Sequence, residues 1–176
     1  MKYLFIVSCM FFMLSCKKQE NAVLPLVQNK FGPSVLSVAN PVKLVRGQVW
    51  YLPIYSNIPY KPGDDSYSLS GFAAVHNTDM EHPIRISQVW FFNNDGALVK
   101  DFLQDSIIIL PPLCTTNFYI PEQDKSGLGA NFIIEWTADT LVNEPLIESV
   151  MVNLTTGHGV SFLSQGRVIR EVTSNE

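Results

Sequence analysis

The chain has few cysteines, and their positions exclude a disulfide framework. It contains three in 176 residues, namely Cys9, Cys16 and Cys114. A small exported domain that needs covalent stabilisation carries an even set of cysteines. Cys9 and Cys16 belong to the N-terminal apolar segment, so Cys114 has no partner left. Because it stands between Leu113 and Thr115 in a strand-like stretch, we predict that it is a small, buried apolar side chain.

The sequence also lacks the features of a nucleic-acid-binding protein. Only 16% of its residues are charged, and the formal net charge is −4. Lys17 and Lys18 form the one pair of adjacent basic residues, whereas a nucleic-acid footprint needs clustered Lys and Arg. We therefore expect no nucleic-acid partner.

No apolar run reaches the roughly 20 residues that a transmembrane helix needs. The run from Tyr3 follows the positive charge of Lys2 and ends at Cys16, which is typical of a secretory signal. Leu14-Ser15-Cys16 resembles a bacterial lipobox, in which the cysteine is acylated and becomes the first mature residue. We predict a signal peptide over 1–15 and lipid attachment at Cys16; the alternative is an ordinary cleaved signal without lipid. The resulting location is the cell envelope, on the periplasmic or surface face of a bacterial membrane.

The rest of the chain divides into a tether and one domain. Residues 16–40 contain two prolines and no sustained periodicity, which favours a lipid-anchored linker. Residues 41–171 are predicted to form a β domain, and residues 172–176 a C-terminal tail. The short β-type segments of the domain are separated by turns and include Gln48–Ile58, Ser68–His76, Ile84–Phe92, Asn131–Ala138 and Arg167–Glu171. Asp95-Gly96 between two apolar runs predicts a hairpin. Roughly nine or ten strands at this spacing predict a single all-β domain, an antiparallel, immunoglobulin-like β-sandwich.

Several blocks of the domain resemble a bacterial family of exported proteins known as domain of unknown function 3124. The blocks that carry the resemblance are Tyr51–Ser56, Asn77–Asp79, Asp95–Gly96, Ser126–Trp136, Asn143–Met151 and Gly159–Ile169. The resemblance extends from Val49 to Ile169. It implies one exported domain and carries no established activity.

One loop is rich in glycine and is the preferred place for a binding surface. Ser126, Gly127 and Gly129 precede Asn131, where a strand begins. A phosphate-binding loop would need a helix after it and a Lys-Ser/Thr at the junction, and neither follows. The glycines instead supply positive φ in a long loop, and long loops often carry binding residues.

The segment His76–His82 combines two imidazoles, a thioether and two carboxylates, which are ligands that copper or zinc accept. The spacing matches no closed zinc pattern, however, and the segment is a strand-to-strand turn. We therefore predict neither a metal nor any other cofactor. Asn77 and Asp79 remain candidates for contact with a ligand or a partner.

Aromatic side chains on the first strand offer a further candidate surface. Tyr51 and Tyr55 have the opposite parity from Trp50, Leu52 and Ile54, so we expect them to stay partly exposed and to be available to a ligand. Trp90 and Trp136 share their parity with apolar neighbours instead, and we expect both in the core.

One carboxylate falls within an apolar pattern. The even positions from Leu146 to Leu154 are apolar except for Glu148, so we predict that this face is buried. A buried carboxylate needs a partner, and an arginine is best suited to it. We predict a structural Glu148–Arg167 ion pair, with Arg85 as the second choice.

No catalytic signature outweighs its structural interpretation, and no Gly-x-Ser-x-Gly motif is present. The predicted function is that of a non-enzymatic binding module that contacts another envelope protein or a small ligand. The alternative is an envelope-associated hydrolase acting on carbohydrate or cell-wall substrates. Asp105-Ser106-Ile107 and Asp139-Thr140-Leu141 also resemble acceptor sites for O-linked sugars, which makes Ser106 and Thr140 candidate glycosylation sites.

Overall fold

The structure is a computed structural model that describes residues 44–62, 66–122, 124, 126–154 and 159–172. The predicted signal peptide (1–15), Cys16 and the linker (16–40) lie outside the described residues. All described residues belong to the compact unit Ser37–Glu176. Among them, no helix is long and apolar enough to cross a membrane.

The described chain forms strands and turns, as the apolar alternation and turn residues predict. Three predicted strands have the bounds that the sequence indicated, namely Ile84–Phe92, Asn131–Ala138 and Arg167–Glu171. The described strands are β1 (Arg46–Pro53), β2 (Asn57–Pro59), β3 (Ser66–Ser68), β4 (Ser70–His76), β5 (Ile84–Phe92), β6 (Leu98–Asp101), β7 (Ile108–Leu110), β8 (Thr115–Ile120), β9 (Asn131–Ala138), β10 (Leu146–Asn153), β11 (Val160–Gln165) and β12 (Arg167–Glu171).

The strand count exceeds the nine or ten predicted because two predicted segments are each split in two. Gln48–Ile58 is interrupted after Pro53, and Ser68–His76 is interrupted at Leu69. The short strands β2 and β3 that result pair only with each other. The predicted hairpin between β5 and β6 is confirmed, with Gly96 at φ +76°.

Apart from β2 and β3, the described strands pack as two antiparallel sheets, which confirms the predicted sandwich. The six-stranded sheet has the order β12-β1-β9-β5-β6, with β7 also pairing β5, and the four-stranded sheet has the order β11-β10-β4-β8. Side chains from both sheets fill the main core, among them Leu52 and Phe132 from one sheet and Val75 and Met151 from the other. Trp136 is fully buried there, as predicted.

The outer face of the six-stranded sheet carries a second, smaller apolar cluster. It consists of Val49, Trp90, Phe92 and Ile133, all of them buried. These residues alternate with core residues along β1, β5 and β9, so both faces of these strands are apolar. Trp90 is thus buried as predicted, although on the face opposite to the main core.

The prediction that the even positions of β10 are buried is wrong. Ile147, Ser149, Met151 and Asn153 point into the sandwich, and the even positions, including Glu148, lie on the outer face. Two polar residues are tolerated inside because each bonds a carbonyl of a neighbouring segment. Ser149 Oγ donates to the carbonyl of Pro53 at 2.7 Å, and Asn153 Nδ2 donates to that of Ser68 at 2.5 Å. Alternation alone could not reveal these acceptors.

The prediction for Cys114 is also wrong, because its side chain is exposed. The strand begins only at Thr115. Leu113 adopts a positive φ of 57°, and the N–H of Cys114 donates to the carbonyl of Pro111. Cys114 thus belongs to a turn at the end of the sandwich, and its side chain is not part of the core.

Candidate functional site

Three loops meet at one end of the sandwich because the strands that they connect are antiparallel and in register. His76 at the end of β4 lies opposite both Thr115 of β8 and Leu146 of β10. The connections 77–83, 111–114 and 139–145 therefore leave the sheets side by side. We call these three loops the Asp79 end.

The side chain of Asn77 connects two of these loops through hydrogen bonds. Its side chain is 2% exposed, and its Nδ2 atom lies 2.9–3.1 Å from the carbonyl oxygens of His82, Leu110 and Pro111. Its Oδ1 atom accepts the N–H of Asp79 at 3.0 Å. A buried amide that satisfies backbone groups in this way holds a loop in one conformation.

Asp79 ties the third loop to the other two. Its Oδ2 atom accepts the N–H of Asn143 at 2.9 Å, and its Oδ1 atom accepts the N–H groups of Glu81 and His82 at 2.9 and 2.8 Å. The backbone carbonyl of Asp79 also accepts the N–H of Leu113 at 3.2 Å.

The hydrogen bonds that Asp79 accepts favour its ionised form. The backbone N–H of Asn143, followed by those of Glu81 and His82, lowers the pKa of the Asp79 carboxyl from 3.8 to about 2. The carboxylate is thus charged, and both of its oxygens accept hydrogen bonds from backbone N–H groups of these loops.

Asn77 and Asp79 were predicted to contact a ligand, but the structure gives them a supporting role. Both are buried and bonded within the protein. The side chains that they help to display are large, apolar and exposed: Met80 is 74% exposed, Leu113 65% and Leu141 75%. Sequence analysis missed these three residues. Each is a large apolar residue inside a turn segment, and that anomaly could have revealed them.

The glycine-rich loop lies at the opposite end and is packed against its neighbours. Ser126 is buried, and its carbonyl accepts the N–H of Asn94 at 3.0 Å. Gly127 has φ +97°, and its N–H donates to Ser56 Oγ at 3.0 Å. A Cβ at Gly127 would overlap the side chain of Asn94. Gly127 therefore supplies the predicted positive φ together with a close approach, whereas Gly129 does not have a positive φ.

The remaining predicted contact residues occupy different positions. Asn131 begins β9 opposite Pro53 and is partly buried, and Gly129 packs near the Asn94 side chain. Tyr51 is exposed on β1, as expected. Tyr55 is partly buried, with its ring 6.0 Å from that of Phe162. The structure thus does not gather the predicted contact residues into one site.

The predicted Glu148–Arg167 ion pair is wrong. Glu148 belongs to β10 of the four-stranded sheet, whereas Arg167 lies in β12 of the six-stranded sheet, opposite Tyr51. The chain crosses from one sheet to the other at Gly166, so Arg167 belongs to a different sheet from Glu148. The second choice, Arg85, donates to Asp139 at 2.7 Å instead.

Glu148 pairs with a histidine on the outer face of the four-stranded sheet. Its Oε1 atom lies 3.6 Å from Nε2 of His76, and Nδ1 of His76 lies 2.8 Å from Oγ1 of Thr115. His82 contacts a different carboxylate, because its Nδ1 lies 3.4 Å from Oδ1 of Asp79. Within the described residues, no three His, Cys, Asp or Glu side chains form a group that could hold a metal ion.

The two predicted glycosylation positions differ in exposure. Ser106 is exposed and follows a turn in which Gln104 and Asp105 have positive φ. Thr140 is partly buried in the β9–β10 loop of the Asp79 end. Glycosylation at either residue stays a prediction.

The described residues thus define an all-β protein with two packed antiparallel sheets and an end at which hydrogen bonds join three loops. The family described as "Protein of unknown function (DUF3124)" matches residues 47–169, and the chain belongs to this family. The chain is similar to the crystal structure of Thermotoga maritima 1070, with a TM-score of 0.43 and 11% identity over 68% of this chain and 92% of that one. No curated protein matches the chain.

Proposed function

We propose that the protein is a cell-envelope lipoprotein, anchored through Cys16, whose β-sandwich is a non-enzymatic binding module. The observation that carries the binding role is the Asp79 end. There, three loops each display one large exposed apolar side chain. Hydrogen bonds that Asn77 donates to Leu110 and that Asp79 accepts from Asn143 hold the loops together. The sequence alone, through its leader and Cys16, supports the envelope location.

The rigidity of the Asp79 end favours binding. An interface gains affinity when its contact residues are ordered before the partner arrives, since less entropy is then lost on association. Apolar side chains on loops at one end of a β-sandwich are also a common arrangement for recognition. Met80, Leu113 and Leu141 are the residues expected to contact an apolar patch on another envelope protein or an apolar part of a small ligand.

The test is affinity capture of the tagged full-length protein from its host, with mass spectrometry of what co-purifies. A triple variant (Met80→Ser, Leu113→Ser, Leu141→Ser) should lose the specific partner. A matched control variant (Leu128→Ser, Leu154→Ser, Ile169→Ser) removes three exposed apolar side chains elsewhere and should keep it. Capture that is equal in both variants would exclude the Asp79 end as the binding surface.

One observation favours a second candidate function, an envelope hydrolase acting on ester groups of carbohydrate or cell-wall substrates. Thr115, His76 and Glu148 form a hydroxyl–imidazole–carboxylate series, with contacts of 2.8 and 3.6 Å. Such a series can activate a nucleophile. It ranks second because the neighbouring N–H of Cys114 already donates to Pro111 and is not free to stabilise an oxyanion.

The hydrolase is tested with a fluorophosphonate probe and a p-nitrophenyl acetate assay. Labelling and turnover that disappear in Thr115→Val and in His76→Gln would establish it. An unlabelled, inactive wild-type protein would remove this candidate.

A further inference from the structure

The outer face of the four-stranded sheet carries one apolar row that crosses all four strands. Tyr119 of β8 lies opposite Phe72 of β4, Phe72 lies opposite Val150 of β10, and Val150 lies opposite Leu163 of β11. Tyr119 is 56% exposed and Leu163 50% exposed, while Phe72 and Val150 between them are partly buried. We call these four residues the Phe72 row.

The two sheets differ in how their outer faces are covered. On the six-stranded sheet, Val49, Trp90, Phe92 and Ile133 are buried. The Phe72 row also consists of four apolar residues, but the two at its ends, Tyr119 and Leu163, are exposed. An exposed, contiguous apolar surface on a protein marks an interaction site more often than isolated apolar residues do.

The charges on this face are compatible with contact between two copies of it. The face carries one carboxylate, Glu148, and one imidazole, His76, which lie 3.6 Å apart. No Lys or Arg occupies the outward positions of these strands, which are Ser70, Phe72, Ala74, His76, Thr115, Asn117, Tyr119, Leu146, Glu148, Val150, Val152, Ser161, Leu163 and Gln165. Few like charges therefore oppose each other when two such faces meet.

The size of the face indicates how strong such a contact is. Four strands about 4.8 Å apart, over about six residues at about 3.4 Å each, give a face of roughly 400 Å² in projection. Stable dimers bury about 800 Å² per partner, and weak complexes bury less. The face is thus large enough for a weak, concentration-dependent dimer and too small for an obligate one.

We propose that two copies of this chain associate weakly through the outer faces of their four-stranded sheets. A two-fold axis in the plane of the interface places row on row in either orientation. If the axis runs along the row, Val150 meets Val150 of the second copy. If it runs along the strands, Val150 meets Phe72 of the second copy.

The test is sedimentation equilibrium of the whole chain, purified as its host makes it, in density-matched detergent if it is lipidated. The mass should rise from monomer towards dimer with concentration. Tyr119→Glu and Leu163→Glu should each weaken association by about tenfold or more, because they replace apolar contact with a charge at the interface. Ile169→Glu is the matched control, since Ile169 is 56% exposed on β12 of the other sheet, and it should not affect association.

A monomer at every concentration would overturn the proposal, and so would a dimer that survives both row variants.

Cysteine cross-linking of the full chain in cells supplies an independent readout. With Cys114→Ser as background, Val150→Cys should yield a homodimer, alone or co-expressed with Phe72→Cys, and Ile169→Cys should not. Cross-linking of Val150→Cys only to a different protein would show that the face serves another partner. Because these variants leave the Asp79 end intact, the result does not depend on the proposed binding function.

Discussion

The Oδ2 atom of Asp79 lies 2.9 Å from the backbone nitrogen of Asn143, which is 64 residues further along the chain. This hydrogen bond joins the loop after β4 to the loop before β10, two strands that are themselves paired. A single side chain therefore links the two loops at this end of β4 and β10.

The Asp79 carboxylate should make stability depend on pH in the acid range. Its folded pKa, about 2, lies below the ordinary value of 3.8, so its contribution is complete above about pH 4 and is lost as the pH falls towards 2. Asp79→Asn should lower the Tm by several degrees at pH 7 and flatten this acid dependence. Urea unfolding between pH 2 and 7 measures both effects. Glu81→Gln, an exposed change in the same loop, is the control, and an equal acid dependence in Asp79→Asn would contradict the assignment.

Two glycines with positive φ should respond differently to alanine. At Gly96 (φ +76°) nothing lies within 4 Å of an added Cβ, so Gly96→Ala should cost only the backbone strain, about 1 kcal/mol. At Gly127 (φ +97°) the added Cβ also overlaps Asn94, so Gly127→Ala should cost roughly 2–3 kcal/mol. Denaturant titrations of the two variants give the difference. If the variants were equally stable, the Gly127–Asn94 contact would be unimportant.

Arg167 should contribute little to stability, because it is exposed on β12, opposite Tyr51, in a different sheet from Glu148. Arg167→Ala should change the free energy of unfolding by no more than about 0.5 kcal/mol. A double-mutant cycle of His76→Gln and Glu148→Gln should instead show coupling between the two side chains, because Oε1 of Glu148 lies 3.6 Å from Nε2 of His76. A large loss of stability in Arg167→Ala would reinstate the pair that the structure excludes.

Lipid attachment is tested at Cys16. The mature wild-type protein should begin at this residue and carry the mass of the acyl groups, whereas Cys16→Ala should lack them and appear in the soluble fraction. Intact-mass spectrometry and membrane fractionation measure these outcomes, with Cys114→Ser as the matched cysteine change. A wild-type protein that begins elsewhere and carries no lipid mass would contradict the anchor.

Local patterns were sufficient for the bounds of three strands. Alternating apolar residues and turn residues placed β5, β9 and β12 at their observed bounds, because strand formation and hairpin closure depend on neighbouring residues. The same patterns failed for β10, where each face mixes apolar and polar residues and the carbonyls of Pro53 and Ser68 make the odd face suitable for burial.

The candidate site could be predicted only in part. Asn77 and Asp79 were identified as important turn residues, but their role depends on acceptors and donors such as Leu110 and Asn143, which are distant in sequence. Met80, Leu113 and Leu141 each stand out as a large apolar residue in a turn, but only the fold shows that the three loops lie at the same end of the sandwich. The predicted Glu148–Arg167 pair failed for a related reason, since strand order alone does not show that the chain changes sheets at Gly166.

The sequence by itself determined the all-β class, the positions of most strands and the hairpin at Asp95-Gly96, since these follow from interactions between residues close together in the chain. Tertiary structure alone decided which face of β10 is buried, that Cys114 is exposed, that Glu148 meets His76, and that four apolar residues from four strands align in one row. Each of these outcomes depends on the order and register of strands that are distant in sequence, where packing and hydrogen bonding between segments decide the arrangement.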